Sequence, residues 1–290
     1  MTCRNRQLPR TPNPALIHEI VRRALAEDLG HGDITTTLTV DPSVRATARI
    51  ICKQDGILSG LAVAEAVFAR LDSNIGWHPG AEDGDHVCPG GVVACISGPA
   101  ASILQAERVA LNFLQHMSGV ASLTKRFVLA VENTNAQIVD TRKSMPGLRA
   151  LEKYAVVCGG GRNHRFGLDD GILIKDNHVA AAGGIGPALA RVRERAPHGL
   201  RIEIEIDRLD QIGEAIAGGA EIILLDNMGP EMLAQAVDMI GGRARTEASG
   251  GVTLESVAAI AEAGVDLISV GRLTHSAPAL DFALDLEVAP

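Results

Sequence analysis

Asp140-Thr-Arg-Lys143 follows a short apolar run at Gln137–Val139, and Lys175-Asp-Asn-His178 follows another at Gly171–Ile174. Basic groups at such places can neutralise an anion, form an imine or sit in solvent. Between Thr141 and Leu168 stand six cations (Arg142, Lys143, Arg149, Lys153, Arg162, Arg165) and one anion, Glu152, a local net charge of +5. They are interleaved with the turn formers Met145-Pro-Gly and Gly159-Gly-Gly instead of lying along one helical face, which favours an anion site over a solvated surface. Arginine would supply planar forks for carboxylate or phosphate, and lysine point charges. His164, between Asn163 and Arg165, reads as a ligand contact more than as a core histidine. The glycine run would let a ligand or another backbone approach closely, and a plain turn explains it equally well. The polarity around Lys175 argues against the depressed pKa that an imine nucleophile needs, so binding by charge is expected there.

Further along, Glu205 and Asp226 close two more strand-like runs, where carboxylates suit sugar hydroxyls or Mg²⁺. Glu203 alternates with isoleucines and shares a face with Glu205; a half-buried strand with salt bridges would look the same. Ser249-Gly250-Gly251 and Ser269-Val270-Gly271 precede helical stretches, a setting in which backbone N–H groups bind phosphate. GxGxxG, Walker A, HExxH and catalytic-triad spacings are all missing. Many cations, two carboxylates and two small Ser/Gly loops suit a sugar phosphate or diphosphate together with a second anion.

The elements that must carry these groups follow from periodicity. Six runs (137–139, 171–174, 201–206, 221–225, 243–248 and 265–270) read as strands, and helical patterns cover 186–196, 209–217, 230–240 and 254–263. The last four strands start 20 to 22 residues apart, room for one strand, one loop and one short helix, which is the βα unit of a parallel barrel. Every polar cluster named above then falls at the C-terminal face, where such barrels keep their function. The earlier chain is mixed α+β. A helix runs from Pro14 to Leu29, strands lie within 44–60 and 84–98, a helix covers 61–72, and a helix or helix pair covers 100–133 with Gln105, Arg108, Asn112 and Gln115 on its polar face. The tail 279–288 alternates like a strand that returns to the first domain.

The chain has 290 residues and a formal net charge of -8, so outside the basic segment the balance is -13. That balance argues against nucleic acid and anionic lipid as bulk partners. No apolar run approaches the roughly 18 residues of a membrane-spanning helix, and the polar, proline-rich start does not read as a secretory leader. Five scattered cysteines without a CxxC fit reduced cytoplasmic thiols, with neither a disulfide framework nor a zinc site expected. Of only five lysines, four fall between 125 and 175, a clustering that chance or genome bias could also produce.

The sequence resembles the quinolinate phosphoribosyltransferases, also called nicotinate-nucleotide pyrophosphorylases (carboxylating). The resemblance rests on Glu27–Thr36 (EDLGHGDITT), Glu107–Asn112 (ERVALN), Asp140–Arg149 (DTRKSMPGLR), Glu152–Ala155 (EKYA) and Gly159–Arg165 (GGGRNHR). It continues through Leu173–His178 (LIKDNH), Glu203–Glu205, Leu225–Met228, Glu247–Gly251 (EASGG) and Ile268–Gly271, in order along nearly the whole chain. The resemblance implies an α/β protein of the type II phosphoribosyltransferase fold: an α+β N-terminal domain (1–118) packed on an incomplete α/β barrel (119–277), with a tail (278–290) returning to the first. It implies transfer of phosphoribose from 5-phosphoribosyl 1-pyrophosphate to quinolinate with loss of CO₂ (EC 2.4.2.19), a Mg²⁺ requirement, and a cytoplasmic homodimer or hexamer. By motif match, Thr141, Arg142, Lys143, His164, Arg165 and Lys175 should bind quinolinate and the diphosphate, and Arg108 should reach in from a neighbouring subunit. Glu205 and Asp226 should meet ribose and metal, and Ser249–Gly251 with Ser269–Gly271 the 5′-phosphate; Lys143, Lys175, Glu205 and Asp226 are the expected catalytic groups. The departures are slight: Ser144 stands where many relatives have Thr. Alternatives are a related type II enzyme acting on nicotinate or another aromatic acid, a non-catalytic anion-binding protein, and a lyase using Lys175 as an imine former.

Overall fold

In the computed structural model residues 11–288 are described; Cys3 and the expected absence of a leader lie outside them. Asn13 caps α1 (Pro14–Leu29) through its side chain, proline opens the helix, and Ile17, Val21 and Leu25 form its buried stripe. A short helix missing from the sequence reading follows: Asp33 caps α2 (Ile34–Thr39) by accepting from the Thr36 N–H. The strand β1 (Arg45–Cys52) buries Ala46, Ala48, Ile50 and Cys52 in strict alternation. Then come β2 (Gly56–Ile57), α3 (Leu61–Leu71), β3 (Gly76–Pro79), β4 (His86–Val87), β5 (Val92–Pro99) and α4 (Ala100–Ala130), one continuous helix of 31 residues and not a pair.

The second half begins with β6 (Gln137–Val139), α5 (Arg149–Cys158), β7 (Ile172–Ile174), α6 (Asp176–Ala182), α7 (Ile185–Arg195) and β8 (Ile202–Ile206). It ends with α8 (Ile212–Ala217), β9 (Ile222–Asp226), α9 (Pro230–Ile240), β10 (Arg245–Ser249), α10 (Val257–Glu262), β11 (Leu267–Ser269), α11 (Arg272–His275) and β12 (Phe282–Val288). Contacts divide the chain into two units. The first holds Met1–Lys125, Ser144–Gly160 and Thr274–Pro290; the second holds Arg126–Lys143 and Gly161–Leu273.

In the first unit an antiparallel sheet runs β12-β1-β5-β3, with Ala46 opposite Val288 and Cys52 opposite Phe282. The tail is also tied to α4, since Leu280 N–H donates to the Gln115 carbonyl and Gln115 Nε2 donates to the Phe282 carbonyl. That explains part of the polar stripe on α4. Ser144–Gly160, which chain order alone places with the barrel, counts with this unit. Its helix α5 is fastened there by Tyr154, whose hydroxyl donates to Asp83 (2.8 Å), and by the wholly buried Glu152, which accepts from the Met145 N–H and lies 3.0 Å from His116 Nε2. Arg149 and Lys153 therefore stand one helical turn apart on α5, and the basic segment is not the run of turns that its glycines suggest.

The second unit is a six-stranded parallel sheet in the order β6-β11-β10-β9-β8-β7 with helices between successive strands, an incomplete barrel. A single parallel bridge between Val139 and Arg162 extends it beside β6. All six strands of the sequence reading are present. No helix among the described residues is long and apolar enough to cross a membrane.

Candidate active site

The second unit gathers most of the expected groups at the C-terminal ends of its strands. Asp140, fully buried after β6, accepts from the His164 N–H at 2.9 Å, and its own N–H donates to the Arg162 carbonyl. These bonds place the loop Arg162–Arg165 beside Thr141–Lys143, where the Thr141 hydroxyl accepts from the Lys143 N–H and shapes a local turn. Arg165 also donates to the Gly171 carbonyl at 2.9 Å. Burial, and then the neighbouring Arg142, hold the Arg165 guanidinium below its ordinary value, with Glu203 pulling the other way.

Lys175 closes β7 and opens α6; its ammonium lies 2.6 Å from Glu205 on the neighbouring strand β8. Glu205 is opposite Leu224 in the β8–β9 ladder, so Asp226 sits one side-chain repeat further along β9 and both carboxylates reach the same rim. Asn227, in the left-handed region at φ 55°, donates from Nδ2 to Asp226 (2.6 Å) and from its N–H to the Ser249 carbonyl. Gly250 has φ +99°, and a Cβ there would stand 2.1 Å from Asn227 Oδ1. This loop therefore requires glycine both for conformation and for space. Ser269 is buried and donates to the Ala248 carbonyl, while the Val270 N–H donates to Val139, so the second Ser/Gly loop starts from the sheet itself.

The His164 ring is engaged inside the barrel. Its Nδ1 accepts from the Arg165 N–H, which places the ring proton on Nε2, 3.2 Å from Glu203 and 3.7 Å from Glu247. Glu203 and Glu247 are both nearly fully buried and each keeps one oxygen without a hydrogen-bond partner. Burial above all, then the charge of Glu203, pushes the Glu247 carboxyl up to about 7, with His164 partly opposing the rise. Glu247 and Asp140 belong to motifs in the sequence but were not expected in the site. Their signal was weak: Glu247 stands two residues before Ser249, hence on the same face of β10, as Glu203 is to Glu205. His178, within LIKDNH, accepts at Nδ1 from the Lys175 N–H and holds the start of α6.

Arg108 belongs to the first unit. It is exposed on α4 and, with Gln105 of the same helix, borders a cavity of about 340 Å³ whose other wall holds Leu29, Gly32, Asp33 and Thr35 of the EDLGHGDITT motif.

Residues 33–118 match the family described as "Quinolinate phosphoribosyl transferase, N-terminal domain", and residues 120–285 match its C-terminal domain. A Bacillus subtilis protein described as "Probable nicotinate-nucleotide pyrophosphorylase [carboxylating]" is 43% identical over 277 residues, 96% of either chain. A chloroplastic nicotinate-nucleotide pyrophosphorylase [carboxylating] of Arabidopsis thaliana is 43% identical over 92% of this chain and 82% of its own. The solved structure of the nicotinate-nucleotide pyrophosphorylase from Francisella tularensis superimposes with a TM-score of 0.92 at 39% identity, covering 98% of this chain and all of that one.

Proposed function

The chain belongs to the quinolinate phosphoribosyltransferase family, and from that premise we propose which of its residues carry the reaction. It transfers phosphoribose from 5-phosphoribosyl 1-pyrophosphate to the ring nitrogen of quinolinate, giving nicotinate mononucleotide, pyrophosphate and CO₂ in the synthesis of NAD. The observation that supports the assignment of roles most directly is the buried Asp140, whose bonds to the His164 N–H and the Arg162 carbonyl set the loop carrying Arg165 beside the one carrying Arg142 and Lys143. A substrate with two adjacent carboxylates gives each of two arginine forks a planar partner, and one with a single carboxylate serves only one of them.

Arg142 and Arg165 hold the quinolinate carboxylates, and Lys143 and Lys175 face the diphosphate. Breaking the bond between ribose C1 and pyrophosphate develops positive charge on the sugar and negative charge on the leaving group. Preorganised cations lower that barrier without any protein nucleophile. Once the ring nitrogen carries ribose, its positive charge accepts the electron pair released when CO₂ leaves, so the protein need only keep the ring oriented. His164 acts through the frame that joins Arg165 to the buried glutamates. Glu205 and Asp226 hold ribose hydroxyls, and Ser249–Gly251 with Ser269–Gly271 take the 5′-phosphate through backbone N–H groups. Glu205 and Asp226 also offer only hard oxygen donors on one rim, a set that fits Mg²⁺. Mg²⁺ bound there would neutralise the pyrophosphate oxygens.

The protein works in the cytoplasm as a homodimer or a hexamer, with Arg108 completing the partner subunit's site. Its exposure on α4 supports that role. Incubation with 5-phosphoribosyl 1-pyrophosphate, Mg²⁺ and either quinolinate or nicotinate tests the whole reading. Equal yields of CO₂, pyrophosphate and mononucleotide are expected with quinolinate; faster pyrophosphate release with nicotinate would overturn it.

A further inference from the structure

Away from the barrel, the ladder joining β2 to β4 assembles a second group of ligating side chains. Gly56 is opposite Val87 and Ile57 opposite His86, so the same register sets Asp55 opposite Cys88. Residues directly opposite share a face, as do residues two apart, which puts Asp55, His86 and Cys88 on one side of the ribbon. Their side chains meet there. His86 Nε2 lies 3.1 Å from Asp55, and Cys88 Sγ lies 3.6 Å from Asp55 Oδ1 and 3.7 Å from His86 Nδ1. One ligand atom from each falls within 4.8 Å of the others.

We propose that Asp55, His86 and Cys88 bind a borderline-soft divalent cation, Zn²⁺ above all, on the first unit. Zinc bonds of roughly 2.0–2.3 Å in a tetrahedron put ligand atoms about 3.3–3.8 Å apart. His86 faces Asp55 through Nε2 and Cys88 through Nδ1, so with one ring nitrogen as ligand the three atoms, within 4.8 Å of one another, close onto the ion by side-chain rotation alone. One thiolate, one carboxylate and one neutral imidazole balance the charge of the ion, and the thiolate and imidazole select it over Mg²⁺. The turn that carries Cys88 is held in place: Gly91 N–H donates to the Cys88 carbonyl, Gly90 N–H to the Cys52 carbonyl, and Cys52 N–H to the Gly91 carbonyl. The buried Cys52 thiol is itself committed to the Gln54 carbonyl at 2.8 Å, so the fourth position is left to water. Burial, together with the hydrogen bond and charge of Asp55, keeps the Cys88 thiol above its ordinary value. It is therefore a poor nucleophile, and metal binding releases its proton to solvent. Spacing along the chain does not suggest this site, because a C-x₂-D segment and an H-x-C segment about thirty residues apart become neighbours only through the β2–β4 pairing.

Cobalt is the probe, because a Co²⁺–thiolate bond absorbs in the near ultraviolet. Full-length protein stripped of metal and titrated with Co²⁺ should develop one equivalent of that band, and Zn²⁺ should displace it. Cys88→Ser should abolish the band and His86→Ala should weaken Co²⁺ binding at least tenfold, while turnover with Mg²⁺ stays at the wild-type level in both. Glu205→Gln should leave the band intact. Failure of wild type to develop the band, or its persistence in Cys88→Ser, would overturn the proposal.

Discussion

Lys143 and Lys175 are two of only five lysines, and both stand at strand ends of the parallel sheet. Lys175 is half-exposed, and its partner Glu205 gives it a defined position without a buried network that its loss would break. Lys143→Ala and Lys175→Ala should each lower kcat/KM well over tenfold with the thermal unfolding midpoint unchanged. That corresponds to more than about 1.4 kcal/mol of lost transition-state stabilisation. Glu247 makes a different prediction. Its carboxyl is raised from 4.5 to about 7 in the folded protein, so between those values the folded state binds the proton that the unfolded chain has released. Stability contributed by this proton is present at the acid end and lost as pH rises through about 7. Glu247→Gln keeps the shape and removes the titration. Chemical unfolding of the two proteins at a series of pH values should therefore show the variant gaining on wild type as pH rises across that window.

Among the elements, the loop after β10 is the one where backbone conformation and ligand binding coincide. Gly250 adopts a conformation that L side chains rarely take and lies against Asn227, itself left-handed. Gly250→Ala should cost roughly 1–3 kcal/mol of stability. It should also raise KM for the sugar diphosphate more than KM for quinolinate, because the displaced atoms are those of the phosphate loop; equal rises in both would place the phosphate elsewhere. Periodicity identifies all six parallel strands, and for the last four one strand and one helix fit each 20–22-residue step. It missed α5 because Pro146-Gly147 and Gly159-Gly-Gly flank it and suggest turns throughout, although Leu151, Ala155 and Val156 supply a buried face. It does not reveal α6, because Lys175-Asp-Asn-His carries no apolar stripe and the helix starts from a capping contact instead: the His178 ring accepts the Lys175 N–H.

At the scale of the whole molecule, a net charge of -8 disfavours nucleic acid but leaves room for a small polyanion, since the cations are concentrated in one segment. The structure divides that segment: Arg149 and Lys153 go with the first unit, and Arg142, Lys143, Arg162 and Arg165 with the second. A homodimer in which Arg108 serves the partner's barrel makes a quantitative prediction. Arg108→Ala and Lys143→Ala proteins, each nearly inactive, should on mixing and subunit exchange recover about a quarter of wild-type activity. Half the dimers would be mixed, and each would carry one intact site of two. No recovery after demonstrated exchange would confine Arg108 to its own subunit.

Taken alone, the sequence determined the barrel's order of elements, the kinds of groups at its strand ends and the family motifs that join them. Those properties depend on spacing within one βα unit, which a linear chain carries openly. Contacts between units of that repeat are another matter. His164, Glu203 and Glu247 lie some forty residues apart from one to the next, and they meet because parallel pairing turns one face of β8 and of β10 inward while Asp140 holds the His164 loop over them. The placing of the Arg165 loop beside Arg142, the Lys175–Glu205 pair, and the Asp55–His86–Cys88 cluster likewise depend on a register or a loop path. Only the tertiary structure decides these, because side-chain proximity across strands is set by the pairing of the backbones and not by distance along the chain.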